Sequence, residues 1–183
     1  MRLIAFPPLP RPLGGFLTLL LMVSAGAVSP VAADEIGVRI GAGTGTGGGF
    51  NSQEIYWRPA ALAPRLGDPR RWHVTAYTEF NAGRVSRSDD TMYTGGAGVG
   101  GWLIHPRWPV SFGIGTGPTY ISQRSLGGRE FGSHWQFTSH AAVRLRLADQ
   151  LSVGYRIQHT SNGGLASPND GYDIQALEIR LSF

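Results

Sequence analysis

The chain has 183 residues, with 16 basic and 12 acidic side chains, 27 glycines and no cysteine. The lack of cysteine excludes disulfides, thiolate metal sites and a Cys nucleophile, and it does not conflict with export. Arginine supplies every basic side chain and forms no clustered basic patch, so nucleic acid is not an expected partner.

The first element is a leader. Arg2 and Arg11 make a positive start, Phe16 to Val23 is a short apolar run, and Val31-Ala32-Ala33 is a small-residue exit. That order is the pattern of a secretory signal, and the apolar run is too short to span a bilayer as a helix. Residues 1–33 are therefore expected to be removed. One domain remains, Asp34 to Phe183, with 14 arginines against 12 acids. No later stretch has the eighteen or more apolar residues of a transmembrane helix.

Beyond the leader the period is two, not 3.6. Ile36, Val38, Ile40 and Ala42 alternate with Gly37, Arg39 and Gly41. Ile55 and Trp57 mark a short second strand, and Trp72, Val74, Ala76, Thr78 and Phe80 a third. Tyr93, Ala97, Val99 and Leu103 run through a Gly-rich fourth strand, and Val110, Phe112, Ile114 and Tyr120 through a fifth. The sixth carries Phe137, Ala141, Val143, Leu145 and Leu147, and the seventh Leu151, Val153, Tyr155 and Ile157. The last ends Leu177, Ile179, Leu181, Phe183, an aromatic terminus of the kind outer-membrane barrels carry. The opposite face holds Arg39, His73, Glu79, Arg144, Arg146, Arg156, Glu178 and Arg180.

This parity predicts an all-β fold: an eight-stranded antiparallel up-and-down transmembrane β-barrel. Eight strands leave an interior that side chains just fill, here with ion pairs such as those of Glu79 or Arg144. The apolar face meets lipid, and closure leaves no unpaired edge in hydrocarbon. A soluble lipocalin-like barrel would need the reverse parity. His105-Pro106-Arg107 and Ala148-Asp149-Gln150 read as tight periplasmic turns. Residues 43–52, 83–92, 122–134 and 162–172 read as longer outer connections. The Pro-rich stretch Arg58 to Arg71 is expected at the periplasmic end, as a short helix or a rim segment.

Extending the lipid-facing parity of the seventh strand reaches His159 and Ser161. Running the eighth strand backward on the same face reaches Gln175 and Asp173. Serine becomes a useful nucleophile when a base takes its proton and a carboxylate fixes the tautomer of that base. Opposite residues on paired strands stand with Cβ atoms roughly 4.5–5.5 Å apart, so a triad is within reach. The bland alternative is a set of rim residues bathed in headgroups.

The segment His159-Thr160-Ser161-Asn162-Gly163-Gly164-Leu165-Ala166-Ser167-Pro168-Asn169-Asp170-Gly171 resembles the signature of the outer-membrane lipid A 3-O-deacylase family. Weaker echoes are Leu126-Gly127 and Phe131-Gly132-Ser133. The resemblance implies an outer-membrane serine esterase with its site facing the outer leaflet. Lipid A or lipopolysaccharide is the implied substrate, and a 3-hydroxyacyl chain is released with no cofactor and no metal. His159 is implied as base, Ser161 as nucleophile and Asp173 as third member, where the family has the longer Glu. Asp170 is the weaker substitute for that third place. Asn162, the Gly164 amide and Asn169 are the implied oxyanion donors. A homodimer is compatible with this reading. The rival readings are a non-catalytic barrel (adhesin, envelope stabiliser or pore) and a palmitoyltransferase-type barrel, for which the chain carries no matching motif.

Overall fold

The computed structural model describes residues 33–44 and 48–183. All but the last residue of the expected leader lies outside these. Eight strands form the wall: β1 (Glu35–Gly43), β2 (Asn51–Arg58), β3 (His73–Arg87), β4 (Asp90–Ile104), β5 (Val110–Ile121), β6 (Trp135–Arg146), β7 (Leu151–Ser161) and β8 (Tyr172–Ser182). Each pairs antiparallel with its neighbour in sequence, and β1 pairs with β8 to close the barrel. No wall strand is left with a free edge, as the alternation predicts.

The parity holds. Ile40, Ile114, Leu177 and Ile179 are exposed on the outside, as are Phe112, Ile157 and Leu181. The inside is ionic at mid-height. Glu79 accepts from Arg39 at 2.7 and 2.9 Å and from Arg58 at 2.9 Å, with Arg156 at 3.4 Å. Arg39 also donates to Glu178 at 2.8 Å and pairs with Glu54. Interior aromatics fill the space left by glycines: Tyr56 lies against Gly37, Tyr77 against Gly100, and Trp102 against Gly113. An interior of buried ions tolerates no missing partner. Glu79→Leu is expected to destabilise the barrel by about 3–5 kcal/mol, because three guanidinium groups lose their shared carboxylate. Heat- or urea-unfolding in detergent micelles reads this, and an unshifted midpoint would mean that the network is not what holds the lumen.

Two expectations need correction. Residues 83–92 are not a long connection: β3 and β4 run on to Arg87 and Asp90, and the turn has Ser88 at φ 53°. The polar composition there reflects strands continuing past the apolar band. Arg146, expected inside, lies exposed at the end of β6 and donates to the Pro106 carbonyl. The stretch after β2 holds a short 3₁₀ helix, Ala60–Leu62, and a two-residue strand, Arg65–Leu66, paired to Thr75 and Val74.

The two barrel ends differ. At the end holding Asp34 and Phe183, two connections are short turns, after Ile104 and after Arg146, and the third is the 59–72 stretch. At the other, the 122–134 connection folds back as a small hairpin, with Ser125–Leu126 paired to Arg129–Glu130. Its Leu126 and Phe131 are fully buried with Phe50, Val85, Met92, Ile121, Tyr172 and Ile174. This apolar cap roofs the ionic lumen and fixes the loops beside it.

Candidate active site

β7 and β8 carry the candidate residues. Their register sets His159 opposite Asp173, both on the outer face, with side chains 56% and 55% exposed. Nδ1 of His159 lies 2.7 Å from Asp173 Oδ1, a charge-assisted distance. The shorter carboxylate therefore reaches the imidazole without help. Asp170 is engaged elsewhere: its Oδ2 accepts from the Glu130 amide at 2.8 Å.

Ser161 is two residues beyond His159, so strand alternation sets it on the same face. With Nδ1 turned to Asp173, the free Nε2 is the nitrogen left for the serine. Gly171 packs against both His159 and Ser161. A Cβ on Gly171 would lie 3.2 Å from both His159 Cε1 and Ser161 Cβ, and 3.0 Å from the Thr160 carbonyl oxygen. Gly171 also has φ +57°, where an added Cβ is strained. Gly171→Ala is therefore expected to cut turnover at least about tenfold, from strain and from displacing His159 and Ser161 by a few tenths of an ångström. Acyl release by a protein that still folds measures it, and wild-type turnover would show that this close packing has no catalytic consequence.

The loop after Ser161 is held from within. Asn162 is fully buried. Its Nδ2 donates to the carbonyls of Phe131 at 2.9 Å, Ala166 at 2.8 Å and Pro168 at 3.3 Å. Its Oδ1 accepts from the Gly164 amide at 2.8 Å. The side chain of Asn162 and the amide of Gly164 are thus both spent inside the loop. Asn169 differs. Its Oδ1 accepts from the Asn162 amide at 3.0 Å, an anchor that turns Nδ2 away and leaves it without a partner among the described residues.

Sequence reasoning passed over Arg129. Its Nη1 donates to the carbonyls of Asp170 at 3.0 Å and Gly171 at 2.8 Å, while Asp170 N donates to Glu130 O at 3.1 Å. The small hairpin thereby clamps the strand entry that carries Gly171 and Asp173. No local pattern marks this, because donor and acceptors lie about forty residues apart. The weaker echoes belong to the same clamp: Phe131 supplies a carbonyl to Asn162, and Gly132 packs against the Pro168 carbonyl.

A family model described as Lipid A 3-O-deacylase (PagL) matches residues 52–182. The Lipid A deacylase PagL of Pseudomonas aeruginosa is 27% identical over 180 residues, covering 90% of this chain and 95% of that protein. Its namesake from Bordetella bronchiseptica is 33% identical over 82 residues, covering 45% of each. Among solved structures, the crystal structure of the outer membrane enzyme PagL superposes with a TM-score of 0.70 at 18% identity, over 81% of this chain and 99% of that one. Neisserial surface protein A superposes with a TM-score of 0.53 at 12% identity, over 86% of this chain and 100% of that one. At such identities the superpositions show the barrel fold alone.

Proposed function

The chain belongs to the lipid A 3-O-deacylase family, and on that premise we propose that Ser161, His159 and Asp173 carry its ester hydrolysis on the outer wall of the barrel. The observation behind this reading is the His159–Asp173 pair at 2.7 Å on the lipid-facing surface, beside a serine of the same face. Ionisable side chains are costly at the bilayer midplane and nearly free at the interface. The site is therefore read at the outer leaflet, with the loop end facing out and the end that holds Asp34 and Phe183 in the periplasm.

In this mechanism the acyl chains of lipid A lie along the apolar wall. His159 Nε2 takes the Ser161 proton as Oγ attacks the ester carbonyl at position 3 of the glucosamine. Asp173 holds the tautomer that donates from Nδ1 and stabilises the imidazolium. Asn169 Nδ2 donates to the tetrahedral oxyanion, the electrostatic contribution with the largest effect in acyl transfer. Asn162 and Gly164 serve by shaping the loop that presents Asn169. The imidazolium returns its proton to the leaving sugar oxygen. Water, deprotonated by His159, then attacks the acyl-enzyme, frees a 3-hydroxy fatty acid and restores Ser161. All of these groups come from one chain, so the site as drawn requires no homodimer.

Mass spectrometry of lipid A from cells with and without the protein tests the reading. A loss of one hydroxyacyl group supports it. An unchanged mass would point to a non-catalytic barrel, and a gain to an acyl transferase.

A further inference from the structure

The end of the lumen opposite the active site is charged in a way that the esterase chemistry does not use. A vestibule of about 320 Å³ opens there, lined by Arg65, Arg144, Arg146 and Arg180 against only two carboxylates, Glu35 and Asp149. Glu35 is oversubscribed. Arg180 Nη1 pairs with its Oε1, Arg58 Nη1 donates to its Oε2 at 3.2 Å, and Arg144 Nη1 stands 3.6 Å from Oε1 without a hydrogen bond. Arg144 is 7% exposed. Its guanidinium lies 4.2 Å above the Trp102 ring, which holds the plane in place. Arg144 Nη1, Arg180 Nε and Arg65 Nε are all buried without a hydrogen-bond partner among the described residues.

Leaving one buried charged donor unsatisfied is expensive, and three on side chains that line one cavity more so. Guanidinium forks match the planar or tetrahedral oxygens of carboxylate and phosphate, and such charge-assisted bonds are the strong ones. We propose that this vestibule is a binding site for a phosphate-class oxyanion, held by Arg144 and Arg180 from the wall and by Arg65 from the segment after β2. The bound anion ties that segment to β6 and β8 and completes the charge balance of this end of the lumen. Its phosphate comes either from solution or from the headgroup of a phospholipid at that face of the membrane.

The test uses the purified protein in detergent micelles. Inorganic phosphate is titrated calorimetrically against sodium chloride at matched ionic strength, and thermal unfolding is followed in parallel. The expected result is a saturable heat and a raised midpoint with phosphate but not chloride. Arg144→Met, which keeps the packing on Trp102, should weaken binding at least about tenfold, and Arg65→Gln at the mouth should weaken it as well. Micelles doped with phosphatidylglycerol or phosphatidylcholine separate the sources. An Arg144-dependent rise in midpoint with the doped lipid alone assigns the site to a headgroup, and a response to inorganic phosphate assigns it to the free anion. If wild-type protein responds to neither phosphate nor lipid, or if Arg144→Met responds as wild type does, the vestibule is merely water-filled and the proposal fails. None of these readouts depends on the esterase assignment.

Discussion

Lipopolysaccharide incubated with the Ser161→Ala protein should keep its full complement of acyl chains. Removing the nucleophile of a serine esterase costs turnover on the order of 10⁴–10⁶-fold. The substitution should leave folding intact. Ser161 is half-buried at the last position of β7, its side chain makes no hydrogen bond among the described residues, and Ala keeps the Cβ that faces Gly171. Circular dichroism and thermal unfolding of the purified variant control for this. Adding His159→Ala to Ser161→Ala should cost nothing further, because groups acting as one unit are not additive. Acyl release at near wild-type rate by folded Ser161→Ala protein would remove the serine mechanism, and with it the assignment of the site.

Substitutions at Asp173 should separate charge from reach. Asp173→Asn keeps the size and one oxygen, but it favours the wrong imidazole tautomer and cannot stabilise the cation; kcat should fall by about 10²–10⁴-fold. The side chain is about half exposed, so water partly replaces the lost oxygen, and the lower part of that range is expected. Asp173→Glu adds a methylene to a contact that is already 2.7 Å. Because the carboxylate stands on an open wall, it has room to bend, and activity should stay within about tenfold of wild type. A loss with Glu as deep as that with Ala would count against the orienting role. An Asn variant as active as wild type would end it.

The barrel and the pairing of His159 with Asp173 were legible because both follow from a local rule. Alternation assigns each residue of a strand to one face whatever the rest of the chain does. Extending the lipid-facing parity from Ile157 to His159 and Ser161, and from Leu177 back to Asp173, needed no knowledge of the loops. The antiparallel register of a single hairpin then brought His159 opposite Asp173. Parity cannot measure how far the shorter carboxylate of Asp173 reaches; the folded hairpin sets it 2.7 Å from His159 Nδ1.

What stayed hidden depends on contacts between segments far apart in the chain. The family signature named Asn162, Gly164 and Asn169 alike. Only the folded loop, with Asn162 turned inward to three carbonyls, separates the residues that build the loop from the one left with a free donor. The polar 83–92 stretch looked like a loop because strands that pass the apolar band lose the hydrophobic half of their alternation while keeping their ladder.

The sequence by itself thus determined the class of fold, the face of most strand residues and the meeting of His159 with Asp173, since a two-residue period and one hairpin register are local properties. Tertiary structure alone decided the rest. It set the clamp of Arg129 on Gly171, the partner of each loop amide, and the crowding of three arginines on Glu35. These are settled by where the closed wall brings separate segments together, and by the cost of leaving any buried donor without an acceptor.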